Sequence, residues 1–174
     1  MPHINIEIKA RSGHHDKIRN LLFSLKAELK GTDHQIDTYF KVNSGRLKLR
    51  EGNIENHLIH YNRANIEGPK QSDVTLFKSD TSSTLKEILE KSLGVLVVVD
   101  KHREIFFIGN VKFHLDKVEG LGMFVEIEAI DFEGTGNSTR LLEQCQYYQQ
   151  FFGIVPEDLI AVSYSDLLLE RKYK

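Results

Sequence analysis

The chain has 174 residues, of which 40% are hydrophobic and 28% are charged, a composition typical of a globular domain. Its formal net charge of −2 excludes a general affinity for nucleic acid or for acidic membrane surfaces. The single cysteine, Cys145, excludes an internal disulfide and is expected to be a small apolar residue on a helix face. No signal peptide is recognisable, and the longest apolar run, residues 94–99, is too short to span a bilayer. We therefore expect one domain over residues 1–174 in a cytoplasmic protein.

The chain begins with an alternating strand followed by a helix. Residues 4–11 place isoleucines and an alanine on one face of the strand, and polar residues on the other. That polar face carries Asn5, Glu7, Lys9 and Arg11. An apolar stripe from Ile18 to Leu29 then predicts a helix that Gly31 closes.

Four further strands are predicted before the second helix, over residues 35–42, 46–50, 57–66 and 70–77. The strand 46–50 alternates strictly, with three cations on one face and two leucines on the other. Those cations are Arg46, Lys48 and Arg50, and in the next strand Arg63 shares a face with Ile59 and Tyr61.

The second half of the chain begins with a helix that Gly94 ends. Residues 95–108 are interpreted as two strands around a bend or turn, with Lys101 and Arg103 on the same face. Gly109 and Asn110 then form a two-residue turn into a hairpin over residues 111–128. Further helices are predicted after Ser138 and over residues 164–169, with a short helical turn from Pro156 between them.

The hairpin 111–128 has a polar face that is dense in charge. Lys112, His114 and Asp116 share one face of its first strand, and Glu126 and Glu128 share one face of its second. Two orientations are open: a solvated outer edge, or a charged face that points into the protein.

Strands joined mainly by short turns, with helices inserted between them, favour an α+β fold with a largely antiparallel sheet. If the helices cover the apolar face of a curled sheet, the charged face lines a central cavity. The alternative is a charged face turned to solvent. The residues in the inward phase are Glu7, Lys9, Arg46, Lys48, Arg50, Arg63, Lys101, Arg103, Lys112, Asp116, Glu126 and Glu128.

A cavity lined in this way must be hydrated, internally paired or matched by a ligand, because unpaired buried charges are costly. Cations from several strands suit a polyanion such as triphosphate, since arginine holds phosphate oxygens bidentately and lysine adds point charge. The carboxylates Glu7, Glu126 and Glu128 suit Mg²⁺ or Mn²⁺, which prefer oxygen ligands and bridge phosphate oxygens.

Several motifs, taken together, resemble the CYTH family, which joins class IV adenylyl cyclases with thiamine triphosphatases and inorganic triphosphatases. These motifs are Glu7-Ile8-Lys9, the strand 46–50, Lys101-His102-Arg103, and His114-Leu115-Asp116 through Glu126-Ile127-Glu128. The likeness runs over nearly the whole chain and is closest to the bacterial cyclase-like branch. It implies an eight-stranded antiparallel barrel, closed or nearly closed, that holds a triphosphate and one or two divalent metals in a tunnel.

The resemblance also implies a role for each matching residue. The residues expected to bind phosphate are Lys9, Arg46, Lys48, Arg50, Arg63, Lys70, Lys101, Arg103 and Lys112. The residues expected to bind the metal, Mg²⁺ or Mn²⁺, are Glu7, Glu126 and Glu128. The residues expected to take part in catalysis are Lys9, Arg63, Lys101 and Asp116. In a cyclase the ribose 3′-hydroxyl attacks the α-phosphorus, whereas in a triphosphatase water attacks the terminal phosphorus.

One position departs from the family motif E-x-E-x-K, which here reads Asn5-Ile6-Glu7-Ile8-Lys9. An amide oxygen brings no charge, so we expect weaker divalent binding or a single metal site.

Three hypotheses for the function stay open. The first is an adenylyl cyclase-like enzyme acting on ATP, ahead of a triphosphatase for thiamine triphosphate or tripolyphosphate. The second is a module that binds a triphosphate without turnover, and the third is a scaffold with exposed charges. A free edge of the antiparallel sheet would also allow a homodimer.

Overall fold

Eight antiparallel strands close into a barrel in the computed structural model, which describes residues 2–174. The strands are β1 (Pro2–Arg11), β2 (Glu28–Phe40), β3 (Arg46–Glu51), β4 (His57–Arg63), β5 (Lys70–Lys78), β6 (Val95–Ile108), β7 (Val111–Val118) and β8 (Gly122–Ile130). Their order around the ring is β1-β5-β4-β3-β2-β6-β7-β8, and β8 pairs back with β1. The predicted α+β class and eight-stranded barrel are confirmed.

The helices of the described chain lie outside this barrel and decide which face of the sheet points inward. They are α1 (His15–Ser24), α2 (Leu85–Leu93), α3 (Ser138–Phe151) and α4 (Tyr164–Lys172), with a short 3₁₀ turn over Pro156–Asp158. Leu22 of α1 and Cys145 of α3 are fully buried in one apolar cluster with Ile8, Phe113 and Ile127 of the barrel wall. Since the apolar face of β1, β7 and β8 packs under the helices, the charged face of these strands points into the barrel.

The first helix is shorter than its apolar stripe predicted, and Gly31 does not close it. Lys26, with φ of 57°, adopts the left-handed conformation that ends many helices, although this position usually carries glycine. The N–H groups of Lys26 and Ala27 donate to the carbonyls of Phe23 and Leu22, each at 3.0 Å. Gly31 instead lies within β2, beside an irregularity in its pairing with β6.

The two strands predicted over residues 95–108 form one continuous strand, β6, so that prediction was wrong. The polar run that suggested a bend keeps strict alternation, with Lys101 and Arg103 buried inside and Asp100 and His102 on the outer face. Because β6 pairs with both β2 and β7, its polar residues are held in a regular ladder.

Each described strand is paired on both sides. The free sheet edge on which the expected homodimer rested is therefore missing from the described chain, and the oligomeric state stays a prediction. Within residues 2–174, no helix combines the length and the apolar character needed to cross a bilayer.

Candidate functional site

The barrel encloses a cavity of about 280 Å³, and all eight strands contribute to its wall. Seven of the nine basic residues predicted to contact phosphate line it, namely Lys9, Lys48, Arg50, Arg63, Lys101, Arg103 and Lys112. The three predicted metal ligands, Glu7, Glu126 and Glu128, line it as well. The inward phase inferred from strand alternation therefore describes a real, densely charged cavity.

One fully buried carboxylate, Asp37 of β2, organises three of these cations. Arg50 donates from Nε and Nη2 to its two oxygens at 2.9 Å each, Lys101 Nζ donates at 2.7 Å, and Lys48 Nζ lies 3.1 Å away. Desolvation by burial opposes ionisation, but the charges of Arg50, Lys101 and Lys48 hold the pKa of Asp37 well below its usual range. Three basic side chains thus converge on one buried carboxylate in this part of the wall.

Sequence reasoning missed Asp37, although a signal was present. It lies two residues before Tyr39 and two after Gln35, in the buried phase of β2. The same argument that placed Lys9 inward would have placed Asp37 inward.

A second carboxylate that sequence reasoning missed is Glu55, in the loop between β3 and β4. It forms short-range ion pairs with Lys112 and with Arg50, the latter at 3.4 Å, and accepts a hydrogen bond from Gln35 at 3.0 Å. Burial opposes its ionisation, yet the charges of Lys112 and Arg50 hold the pKa of Glu55 well below its usual range. Loop residues follow no periodicity, so no pattern in the sequence could have found it.

The third group of charges spans β6, β7 and β8. Arg103 donates to both oxygens of Asp116 at 2.7 Å and to Glu126 at 3.1 Å. Asp116 is completely buried and also accepts a hydrogen bond from Tyr164 at 2.7 Å. Asp116 therefore lies behind the cavity wall as the partner that orients Arg103.

His114 lies in the wall beside this group, with Nδ1 2.9 Å from Glu126. Burial and the charge of Arg103 lower the pKa of His114, and Nδ1 donates to the carboxylate, which can only accept. Its Nε2 has no hydrogen-bond partner among the described residues.

The carboxylates predicted to hold metal lie on adjacent strands. Glu7 of β1 stands directly opposite Glu128 of β8, and Glu126 is two residues further along the same face. Like charges placed directly opposite each other repel unless a cation lies between them. In the described structure Glu7 pairs with Arg63, while Glu126 lies 3.3 Å from Lys9.

Asn5 completes this oxygen-rich face. It is 1% exposed, and its amide nitrogen donates to Glu128. Its Oδ1 is buried and has no hydrogen-bond partner among residues 2–174, so it offers an oxygen to a donor or a cation. Three carboxylates and an orphaned amide oxygen are the hard ligands that Mg²⁺ and Mn²⁺ prefer, so the residues present fit a divalent metal.

Two of the predicted phosphate ligands do not line the cavity. Arg46, at the end of β3, donates to both oxygens of Asp166 at 2.7 and 2.9 Å. Lys70 is 2% exposed and donates to three backbone carbonyls, the nearest of which, Ala161, is 2.7 Å away. Burial lowers the pKa of Lys70 to about 8. Both residues lie near the C-terminal segment, where they anchor it against the barrel.

That C-terminal segment covers one end of the cavity. Ser163 caps α4, its hydroxyl accepting from the N–H of Asp166, while Asp166 accepts from the N–H of Ser163. Tyr164 lines the cavity, and Lys9 Nζ lies 4.0 Å from the centre of its ring. At the other end the wall becomes apolar and aromatic, with Phe107, Ile130 and the 66% exposed Phe132. The cavity therefore has a charged inner end and an aromatic mouth.

These features define a closed antiparallel barrel whose interior is lined by basic and acidic side chains. The chain belongs to the CYTH family, because the CYTH domain matches its residues 3–135. The resemblance that the sequence motifs indicated is confirmed. No curated protein matches the chain in sequence.

Solved structures of similar proteins share this fold. One from Pyrococcus horikoshii is 25% identical with a TM-score of 0.76, over 94% of this chain and 98% of its own. A candidate adenylate cyclase from Vibrio parahaemolyticus is 22% identical with a TM-score of 0.72, over 95% and 98%. A candidate adenylyl cyclase from Hippeastrum, described as having a dominant triphosphatase activity, is 17% identical with a TM-score of 0.60, over 99% and 96%.

Proposed function

We propose that the cavity binds a small triphosphate together with Mg²⁺ or Mn²⁺, and that the protein is an adenylyl cyclase-like enzyme acting on ATP. The observation that carries this proposal is the convergence of three basic residues of the cavity wall, Lys48, Arg50 and Lys101, on the buried carboxylate of Asp37. A polyanion is the ligand that balances such a wall, since arginine and lysine together supply bidentate and point-charge contacts to phosphate.

The size and polarity of the cavity set how the substrate would lie. A volume of about 280 Å³ is just below the range of roughly 300–1,000 Å³ typical of ligand pockets. The phosphate chain fits the charged inner end, and the organic group lies toward the mouth, where Phe107 and Phe132 offer aromatic faces.

Two other basic residues of the cavity are paired with proposed metal ligands, and this pairing suggests how they act. Arg63 pairs with Glu7, and Lys9 with Glu126. Joint binding of metal and triphosphate lets Arg63 and Lys9 exchange their carboxylate partners for phosphate oxygens. Binding of the metal or the triphosphate alone would leave one member of each of these ion pairs without a partner, so we expect each ligand to tighten binding of the other.

The catalytic contribution of the chain is positioning and charge neutralisation. Arg63, Lys9 and Lys101 hold the phosphates and stabilise the charge that grows on the leaving group. Asp116 acts through Arg103, which it holds in place at 2.7 Å. A divalent cation held by Glu7, Glu126 and Glu128 would polarise the phosphoryl group and neutralise charge on the bridging oxygens.

The test is to incubate the protein with ATP, thiamine triphosphate or tripolyphosphate in Mg²⁺ or Mn²⁺ and to identify the products. Cyclic AMP with pyrophosphate supports the cyclase. Orthophosphate release supports the second candidate, a triphosphatase, which the dominant triphosphatase activity described for the Hippeastrum relative favours.

Asn5 favours a third candidate, a binding module. Its amide donates to Glu128 and adds no negative charge to the metal face. Triphosphate binding by calorimetry without any product would support this module, whereas a protein that shows neither turnover nor binding would refute all three candidates.

A further inference from the structure

A second group of metal-ligating side chains lies on the outer surface of the barrel, apart from the cavity. His34 of β2 is the direct cross-strand partner of His102 of β6, and Asp100 lies two residues before His102. Residues two apart on a strand share a face, so all three side chains project outward together. One ligand atom from each residue lies within 4.8 Å of the other two.

The side chains are already drawn together. The rings of His34 and His102 stack with centroids 4.2 Å apart and an interplanar angle of 10°. Nε2 of His34 lies 2.7 Å from Oδ1 of Asp100, and the two side chains are 47% and 46% exposed. They are accessible to solvent and have no packing role in the apolar clusters of the described chain.

The backbone beneath these residues is rigid. The pairing of β2 with β6 runs without irregularity from Gly31 to Tyr39, and the irregularities fall at its ends. The carbonyl of Asp100 also accepts the N–H of Glu119 at 2.9 Å, which ties the turn between β7 and β8 to the same surface. A site carried on paired strands holds its ligands more precisely than one carried on loops.

We propose that His34, Asp100 and His102 form a binding site for a divalent transition metal, for which Zn²⁺ is the probe. Two imidazoles and one carboxylate are the borderline ligands that Zn²⁺, Cu²⁺ and Ni²⁺ favour, whereas Mg²⁺ prefers an all-oxygen set. Three protein ligands leave at least one coordination position for water or an exogenous group. Small rotations of the stacked rings bring their nitrogens to the roughly 2.0–2.1 Å that a zinc–imidazole bond requires.

The neighbouring Lys117 opposes this site. It is the cross-strand partner of His102 and lines the same shallow depression. Its positive charge weakens cation binding, so Lys117→Gln should tighten Zn²⁺ binding while leaving the three ligands in place.

The experiment is a calorimetric titration of the full chain with Zn²⁺ in excess Mg²⁺, which occupies the oxygen ligands of the cavity. One equivalent should bind, and the double variant His34→Gln/His102→Gln should weaken it by at least about 10-fold, since even a lost partner of a metal ligand costs that much. Asp100→Asn should weaken it less. The matched control is His14→Gln, because His14 is an exposed histidine without a side-chain cap bond and lies on another element.

Two readouts separate this site from the cavity. Co²⁺ substitution should give visible absorption bands in the wild-type chain that the double variant lacks, and Mg²⁺-dependent triphosphate binding should be equal in both. Zn²⁺ binding that survives the double variant, or that is lost only with Glu126→Gln, would overturn the proposal. Failure of triphosphate binding in every variant would instead count against the function proposed for the cavity.

Discussion

The buried carboxylate of Asp37 gives the sharpest test of how the tunnel is held together. The substitution Asp37→Asn keeps the size of the side chain and removes its charge. Lys48, Arg50 and Lys101 then face one another inside the barrel without the anion that they share. We expect a large loss of stability that arises from charge and not from packing.

The magnitude follows from the contact distances of 2.7–3.1 Å. At an effective dielectric constant of about 20, one such pair contributes roughly 5–6 kcal/mol before desolvation is counted. Removing one partner of a buried ion pair costs about 3–5 kcal/mol in practice. Since a domain is stable by only about 5–15 kcal/mol, the variant should stay folded with a much reduced margin.

The assay is urea unfolding at neutral pH with and without tripolyphosphate and Mg²⁺. The anion replaces the missing charge, so it should stabilise Asp37→Asn more than it stabilises the wild type. The control is Glu87→Gln, which breaks the exposed pair with Lys91 on α2 and should cost less than about 1 kcal/mol. A loss of less than about 1 kcal/mol for Asp37→Asn, with no extra gain from the anion, would refute the reasoning.

The same carboxylate predicts a pH dependence. Its pKa is held well below the usual range in the folded chain, so its contribution is fully present above the unfolded value of about 3.9. The contribution is lost as the pH falls through the folded pKa. The stability difference between wild type and Asp37→Asn should therefore shrink in acid, and a constant difference down to low pH would contradict this account.

Three further substitutions test the proposed site. Lys48→Ala should weaken triphosphate binding by roughly 10- to 100-fold in calorimetry, the equivalent of one charge-assisted contact. Arg46→Ala, outside the cavity, should change the binding little. Equal effects of the two substitutions would contradict the placement of Lys48 at the phosphates. Glu126→Gln should abolish metal-dependent turnover, and activity at normal metal demand would remove its proposed ligand role. Asn5→Glu should tighten Mn²⁺ binding by adding a charged oxygen ligand, whereas an unchanged Mn²⁺ titration would mean that position 5 does not face the metal.

Strand alternation predicted most of the cavity because a barrel wall has only two faces. Once the isoleucines of β1 packed under the helices, Glu7 and Lys9 had to point inward, and the same logic applied to Arg103 and Glu126. Alternation predicts on which face of the sheet a side chain lies, however, and not how far along the barrel axis it lies. Arg46 has the same phase as Lys48, yet it lies at the end of its strand and pairs with α4.

The remaining errors have local physical causes. The apolar periodicity predicted a first helix that is too long, because the helix ends at Lys26, which adopts the left-handed conformation. Lysine gives no sequence signal for this conformation, which glycine usually adopts. Glu55 was missed because its position depends on how a loop folds over the strands. The cluster around His34 was missed because it requires the register between β2 and β6, and one strand alone does not reveal that register.

For the proposed reaction, we expect substrate to enter phosphate-first from the end opposite Ser163 and Tyr164, which line the cavity at the start of α4. We expect the products to leave by the same route. The organic product, nearer the mouth, then departs before the inorganic fragment held at the inner end. Release is therefore ordered, and pyrophosphate or orthophosphate should behave as the last product to leave and a competitor of the incoming substrate.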